Sequence, residues 1–168
     1  MAAVDYFLRI AGVDGESADA KHKGWIDVES WSWGETRPVA PAAPGGGAGA
    51  GNAGAGKVQV QDLHFVTRVS KASPKLFLAC ATGQHIKEAK LVGRKAGKDQ
   101  HEFLTWTFTD LLVTGYQTGG AEGGDVLPGD QVALNFAKLK VEYRTQKADG
   151  TLSSPVSAGF DVKTNKQF

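Results

Sequence analysis

Apolar and polar positions alternate with a period of two at the start of the chain. Val4, Tyr6, Leu8 and Ile10 face one way and Asp5, Phe7 and Arg9 the other, which predicts a strand. The period resumes over residues 25–34, where Ile26, Val28 and Ser30 alternate with Trp25, Asp27, Glu29, Trp31 and Trp33. Residues 12–24, between them, are rich in Gly, Asp, Ser and Lys. That stretch is too polar to bury and too long for a tight hairpin, so it predicts an extended surface loop. Further on, Val58, Val60, Leu63 and Phe65 change phase near Gln61 and Asp62, and Val132, Leu134 and Phe136 hand over to Leu139, Val141 and Tyr143 with another change. Leu104, Trp106 and Phe108 alternate with threonines. A one-residue slip within a strand implies a bulge or sharp bend, the device that curves a sheet towards closure. A last strand is expected over residues 158–165, with Gly-rich connections at 118–130 and 147–155.

One helix interrupts the strands. Ser73 is suited to cap it, Pro74 to open it, Leu76, Phe77, Ala79 and Cys80 to supply its apolar stripe, and Gly83 to end it. At two to three turns it needs the sheet for support, so it should flank or plug a barrel. Residues 38–56 are almost entirely Gly, Ala and Pro, a composition that behaves as flexible coil. Only two strands precede this tract, too few to stand alone, so it reads as a long loop inside a single domain spanning residues 1–168. The fold expected is mainly β: a two-sheet β-barrel with one short flanking helix and long loops.

Composition narrows the function by exclusion. Lys and Arg total 19 against 18 acids, a net charge of +1, which gives no reason to expect nucleic acid as a partner. No stretch approaches the ~20 apolar residues of a membrane span, and the first residues lack the pattern of a signal peptide. The expected place of the protein is the cytoplasm unless a dedicated machine exports it. The single cysteine, Cys80, reads as a small buried hydrophobe.

Motifs that carry chemistry fail on context. Gly49, Gly51 and Gly54 fit a dinucleotide fingerprint and residues 51–57 the first part of a P-loop. Both need a strand before and a helix N-terminus after, whereas Pro38, Pro41 and Pro44 precede and the alternating Val58 strand follows. His22, His64, His85 and His101 show no paired zinc spacing. Asp27 and Glu29 share a strand face, where a solvated pair is commoner than an acid/base pair. No cofactor, metal or catalytic residue is expected, and the protein is not expected to be an enzyme.

Several pieces, in order, resemble one family. They are residues 12–17 (Gly-Val-Asp-Gly-Glu-Ser), Ile26-Asp27-Val28, Trp31-Ser32-Trp33-Gly34, Val60-Gln61-Asp62-Leu63, Ser73-Pro74 with Ala79-Cys80, Lys90-Leu91 with Arg94-Lys95-Ala96-Gly97, Leu134-Asn135-Phe136-Ala137, and residues 159–165. Together they resemble the Hcp (haemolysin-coregulated protein) family of type VI secretion, with Phe160 standing where that family often has Trp. The resemblance implies a barrel assembled as a six-membered ring. Such rings stack into a hollow tube inside a contractile sheath and are expelled with a spike and cargo. It also implies effectors held in the ring lumen, and a protein that is cytoplasmic before firing and then secreted. Phage tail-tube proteins share the architecture, and a monomeric ligand-binding barrel is the rival from another class.

Two sets of site residues follow from this reading. Asp14, Gly15, Glu16, Ser17, Asp19, Lys21, His22 and Lys23 are expected at the subunit or ring-stacking interface, where mixed charges suit a partner surface. Trp31 and Trp33 share a face, so Ser32 points the other way. Ser32, with Ser30, is expected to line the lumen and touch effectors.

Overall fold

The computed structural model describes residues 3–39, 57–96, 100–123 and 128–168. Most of the Gly/Ala/Pro tract, residues 40–56, therefore lies outside the described residues, as do Gly49, Gly51 and Gly54. β1 (Val4–Ile10) pairs antiparallel with β2 (Ile26–Val28) on one side and β7 (Ile86–Lys95) on the other. β7 pairs with β8 (Glu102–Gly119), and β8 with β9 (Gly129–Tyr143) along nearly its whole length. The far edge of β9 is shared. Its first part takes β6 (Leu63–Arg68), and its last part takes β10 (Val156–Asp161), which carries β11 (Lys166–Gln167).

β6 also pairs with β3 (Ser30–Ser32), and only Glu29 separates β3 from β2. The Glu29 N–H donates to the Val66 carbonyl at 2.8 Å, so one bent strand leaves β1 and joins β6. The pairing thus returns to its start through β1, β2–β3, β6, β9, β8 and β7. This is the expected barrel, and closure removes the free edges that an open sheet would present. β4 (Glu35–Thr36) and β5 (Gln59–Val60) form a separate two-stranded ribbon, and α1 (Ala72–Thr82) packs on β8.

Phase changes in the sequence mark the corners. At Glu29 and Ser30, two successive exposed residues separate buried Val28 from Trp31, so Ser30 leaves the face of Ile26 and Val28 on which the simple alternation placed it. In β9, Phe136 and Ala137 are both buried. Opposite them Asp110 takes φ 56°, between the pairs Thr109 with Lys138 and Leu111 with Phe136. A left-handed backbone is costly away from glycine, and Asp110 is held there by Lys163 Nζ at 2.8 Å and His85 Nδ1 at 3.0 Å. Gln61 and Asp62 mark the passage from the ribbon into β6.

Side chains fill the interior. Leu8, Ile10, Leu63, Phe65, Leu91, Phe108, Leu111 and Leu134 are fully buried, and Trp31, Trp33 and Trp106 pack against them. Trp33 and Trp106 sit 5.2 Å apart, tilted at 49°, within the range of favourable aromatic pairs.

Three expectations need correction. Ser73 does not cap the helix, which begins at Ala72; its hydroxyl instead accepts from the Ser70 N–H at 3.0 Å and donates to buried Asp130. Phe77 is 57 % exposed and Cys80 only half-buried, because the buried stripe runs through Ala72, Ser73, Leu76 and Ala79. The last strand ends at Asp161, and Asn165, with φ 56°, turns the chain into β11.

Candidate assembly surface

Residues 12–24 do not extend freely. Gly12 and Gly24 bracket the excursion with φ 79° and 78°, a backbone that glycine adopts without strain. Val13 turns back into the core, and a short ladder closes the hairpin: Gly15 N–H to Gly24 O at 2.8 Å, Gly24 N–H to Ser17 O at 2.9 Å, Ser17 N–H to Trp25 O at 2.9 Å. Gly15 is required for this approach, since a Cβ there would stand 2.3 Å from the Trp25 carbonyl oxygen.

The underside of the hairpin covers the outer face of β1 and β7. His22 is 1 % exposed, stacked on Phe7 at 4.3 Å with planes 2° apart, and meets the Trp25 ring edge-on at 4.8 Å. Its Nδ1 lies 2.8 Å from Asp19 Oδ1 and its Nε2 2.7 Å from Glu102 Oε1. Arg94 from β7 donates to Asp19 at 2.7 Å and to Asp5 at 3.4 Å, with its guanidinium 4.8 Å from the centre of the Phe7 ring. Burial opposes ionisation of Asp19, but the bonds from Arg94, His22 and the Lys21 N–H outweigh it and hold the carboxyl well below the usual range. For Arg94, burial again opposes the charge, and Asp19 and Asp5 more than restore it, raising the guanidinium further.

The eight residues expected at an interface therefore divide. Asp14, Glu16, Lys21 and Lys23 are exposed, while Gly15, Ser17, Asp19 and His22 are engaged within the chain. The expectation that this stretch is too polar to bury fails for Ser17 and His22, because partners on other strands satisfy the polar groups. Phe7, Arg94 and Glu102 were not singled out as parts of this hub. Phe7 breaks the polar half of the β1 alternation, and that irregularity is the one signal in the sequence that something covers it.

Ser30 and Ser32 are exposed, on the side opposite Trp31 and Trp33, as the alternation of residues 31–33 requires. Strand register extends each into a row: Ser30 with Val66, Gln131 and Gln117, and Ser32 with His64, Ala133 and Gly115. Beside them Asp62 accepts from Asn135 at 2.9 Å and from Thr114 at 2.6 Å. This outer face is built mainly of hydroxyls and amides. The other half of β9 presents Lys138, Lys140 and Glu142, with Lys90 of β7 across β8 from Lys140. Of the acid pair, Glu29 is bound to Arg68 at 2.9 Å and Asp27 points to solvent, so the two do not converge on a reacting atom.

Over residues 7–143 the chain matches the family described as type VI secretion system effector, Hcp. It is 45% identical over 167 residues to protein hcp1 of Pseudomonas aeruginosa, covering 98% of this chain and 99% of that one. Among solved structures it is similar to Hcp1 from Salmonella typhimurium, at 38% identity and TM-score 0.78 over 100% of both chains. It is similar to a type six secretion system protein at 29% identity and TM-score 0.88, over 99% of this chain and 100% of that one. A type VI secretion system effector from Yersinia pestis matches at 30% identity and TM-score 0.72, over 94% and 99%. With the barrel and the helix that flanks it already in place, these likenesses show that the chain belongs to the Hcp family of type VI secretion.

Proposed function

We propose that this protein is a structural subunit of the type VI inner tube, six copies closing a ring and rings stacking into a hollow conduit for effectors. The observation that carries this reading is the likeness to hcp1 of Pseudomonas aeruginosa, which runs through 98% of this chain with nothing large added or lost. A barrel whose interior is filled by its own side chains supports it, because the function then belongs to outer surfaces. The rival ligand-binding barrel would need that interior free.

In this reading Asp14, Glu16, Lys21 and Lys23 make the ring contact, and Gly15, Ser17, Asp19 and His22 hold them in position. Ser30 and Ser32 lie on the lumen side, where hydroxyl and amide groups suit the passage of folded cargo. Sheath, spike and effectors are the partners. The protein acts in the cytoplasm before firing and outside the cell afterwards, and among the described residues no helix is long and apolar enough to cross a membrane.

Light scattering of purified protein, with negative-stain images of the same peak, tests the ring. A hexamer with annular particles is expected; a compact monomer at high concentration would overturn the proposal. Deleting residues 12–24 would uncover Phe7 and Arg94, so reversing charge at Lys21 and Lys23 is the cleaner test of stacking. Ser32→Arg should leave rings intact and release co-purifying effector, and full retention of effector would remove Ser32 from the lumen contact.

A further inference from the structure

The outer face that carries Ser30 and Ser32 has two features its hydroxyls and amides do not account for. One is a hollow of about 310 Å³ over Val66, lined by Gln117, Thr118, Gly119, Gly129 and Gln131. Val66, Gln131 and Gln117 stand side by side across β6, β9 and β8, and Gly119 pairs with Gly129 beside them. The fold does not demand those glycines. Neither has a positive φ, a Cβ at Gly119 would meet nothing within 4 Å, and one at Gly129 would come no closer than 3.7 Å to the Thr67 carbonyl oxygen. Glycine weakens a strand by lacking a side chain to pack, and its effect here is to keep the space open.

The other feature is Asp62. One of its oxygens accepts from the Asn135 amide at 2.9 Å and the other from the Thr114 hydroxyl at 2.6 Å, both neutral donors. Elsewhere on the surface Arg9, Arg68, Lys138, Lys140 and Lys163 pair with Glu88, Glu29, Asp161, Glu142 and Asp110. Among the described residues Asp62 has no such cation, and His64 beside it on the same face is not within ion-pair distance. Its carboxylate is held in place and left uncompensated.

We propose that this face docks an extended, cationic segment of a partner protein. A side chain of Val or Leu size fills the hollow, and a Lys or Arg further along the segment pairs with Asp62. Asp62 and Val66 are four positions apart, about 13 Å at ~3.3 Å per residue, so a few extended residues of the segment span the two points. A hollow of about 310 Å³ lies at the small end of ligand pockets and suits one side chain better than a cofactor. Exposed Gln117 and Gln131 can each donate and accept, matching the N–H and C=O of a segment that has no strand partner of its own. That the segment belongs to an effector rests on the tube reading; the docking chemistry does not.

The test follows the Val66 methyl NMR signals of the full chain as a synthetic Gly/Ser peptide is added, carrying one Leu and, four residues on, one Arg. Val92, buried in β7, reports that the barrel is intact. Saturable movement of Val66 with Val92 unmoved is expected. Asp62→Asn should weaken binding about three- to fivefold, the scale of an exposed ion pair, and remove most of its salt dependence. Replacing the peptide's Arg by Glu should do at least as much. Gly119→Val, for which the backbone has room, should fill the hollow and abolish the peptide's dependence on its Leu. No Val66 movement at about 10 mM peptide, where a Kd of about 1 mM would nearly saturate the site, would overturn the docking. Unchanged affinity in Asp62→Asn would overturn it as well. Docking without rings would overturn the tube reading and leave the docking in place. Rings that keep a co-produced effector equally well in both variants, with the peptide still docking to the native chain, would remove the effector as occupant.

Discussion

Arg94 and Asp19, 75 residues apart, meet at 2.7 Å with the Arg94 side chain only 4% exposed. The pair fixes the polar excursion to the barrel wall. Arg94→Met should destabilise the fold by about 3 kcal/mol, because a carboxylate is left in a half-dry site without its cation. Arg94→Lys should recover only part of this, lacking the fork that reaches both Asp19 and Asp5. Urea unfolding measures both. A loss under about 0.5 kcal/mol for Arg94→Met, the range of surface changes, would show that the excursion does not depend on the pair.

Asp19 sets the sign of the acid response. Its folded pKa is held below the ordinary value of ~3.9, so its contribution is complete above that value and fades as pH falls towards the folded one. Acid unfolding of the native chain should therefore steepen below about pH 4, and Asp19→Asn should flatten that limb while lowering stability at neutral pH. An unchanged limb in Asp19→Asn would place the acid sensitivity on other carboxylates.

Gly15 and Gly12 should behave differently on mutation to alanine. At Gly15 the new Cβ would meet the Trp25 backbone at 2.3 Å, so the hairpin must break, with a loss above about 2 kcal/mol. At Gly12 the space is open and only the positive φ resists, a loss of about 1 kcal/mol. Thermal unfolding of the two variants side by side should rank them in that order, and equal losses would contradict the close approach.

Ser73, Asp130 and Tyr116 join α1, β9 and β8. Asp130 is fully buried and accepts from both hydroxyls, at 3.0 Å from Tyr116, whose phenol is pushed up by burial and by the carboxylate beside it. Ser73→Ala and Tyr116→Phe should each cost about 1–3 kcal/mol. The double variant should cost more than their sum, since a buried carboxylate would then have no donor, and simple additivity in a double-mutant cycle would argue against a shared network.

The two faces of α1 give the last contrast. Leu76→Ala should cost about 2–4 kcal/mol, whereas Phe77→Gln should stay within about 0.5 kcal/mol, because Leu76 is 1% and Phe77 57% exposed. A large loss for Phe77→Gln would show that its contact with Tyr116 matters more than its exposure suggests.

Strands that bury one face are legible in the sequence. β1, β8 and the β9 bend showed themselves as alternation and a phase slip, because one side of each meets the core and the other meets water. β7 did not. Residues 91–94 are buried in succession, since the barrel takes one face and the residue 12–24 hairpin with Phe7 and His22 shields part of the other. A strand covered on both sides has no period to read.

Sequence alone determined the mainly β architecture, the helix with its Gly83 stop, the outward Ser32 and the resemblance to Hcp proteins. Each of these is written in local pattern or in motif order. Tertiary structure decided where the polar excursion goes, which of its residues face solvent, and that Ser73, which accepts from the Ser70 N–H, also donates to buried Asp130. Those outcomes depend on charges and hydroxyls that meet across 57 to 80 residues of chain, and such pairings leave no trace in spacing.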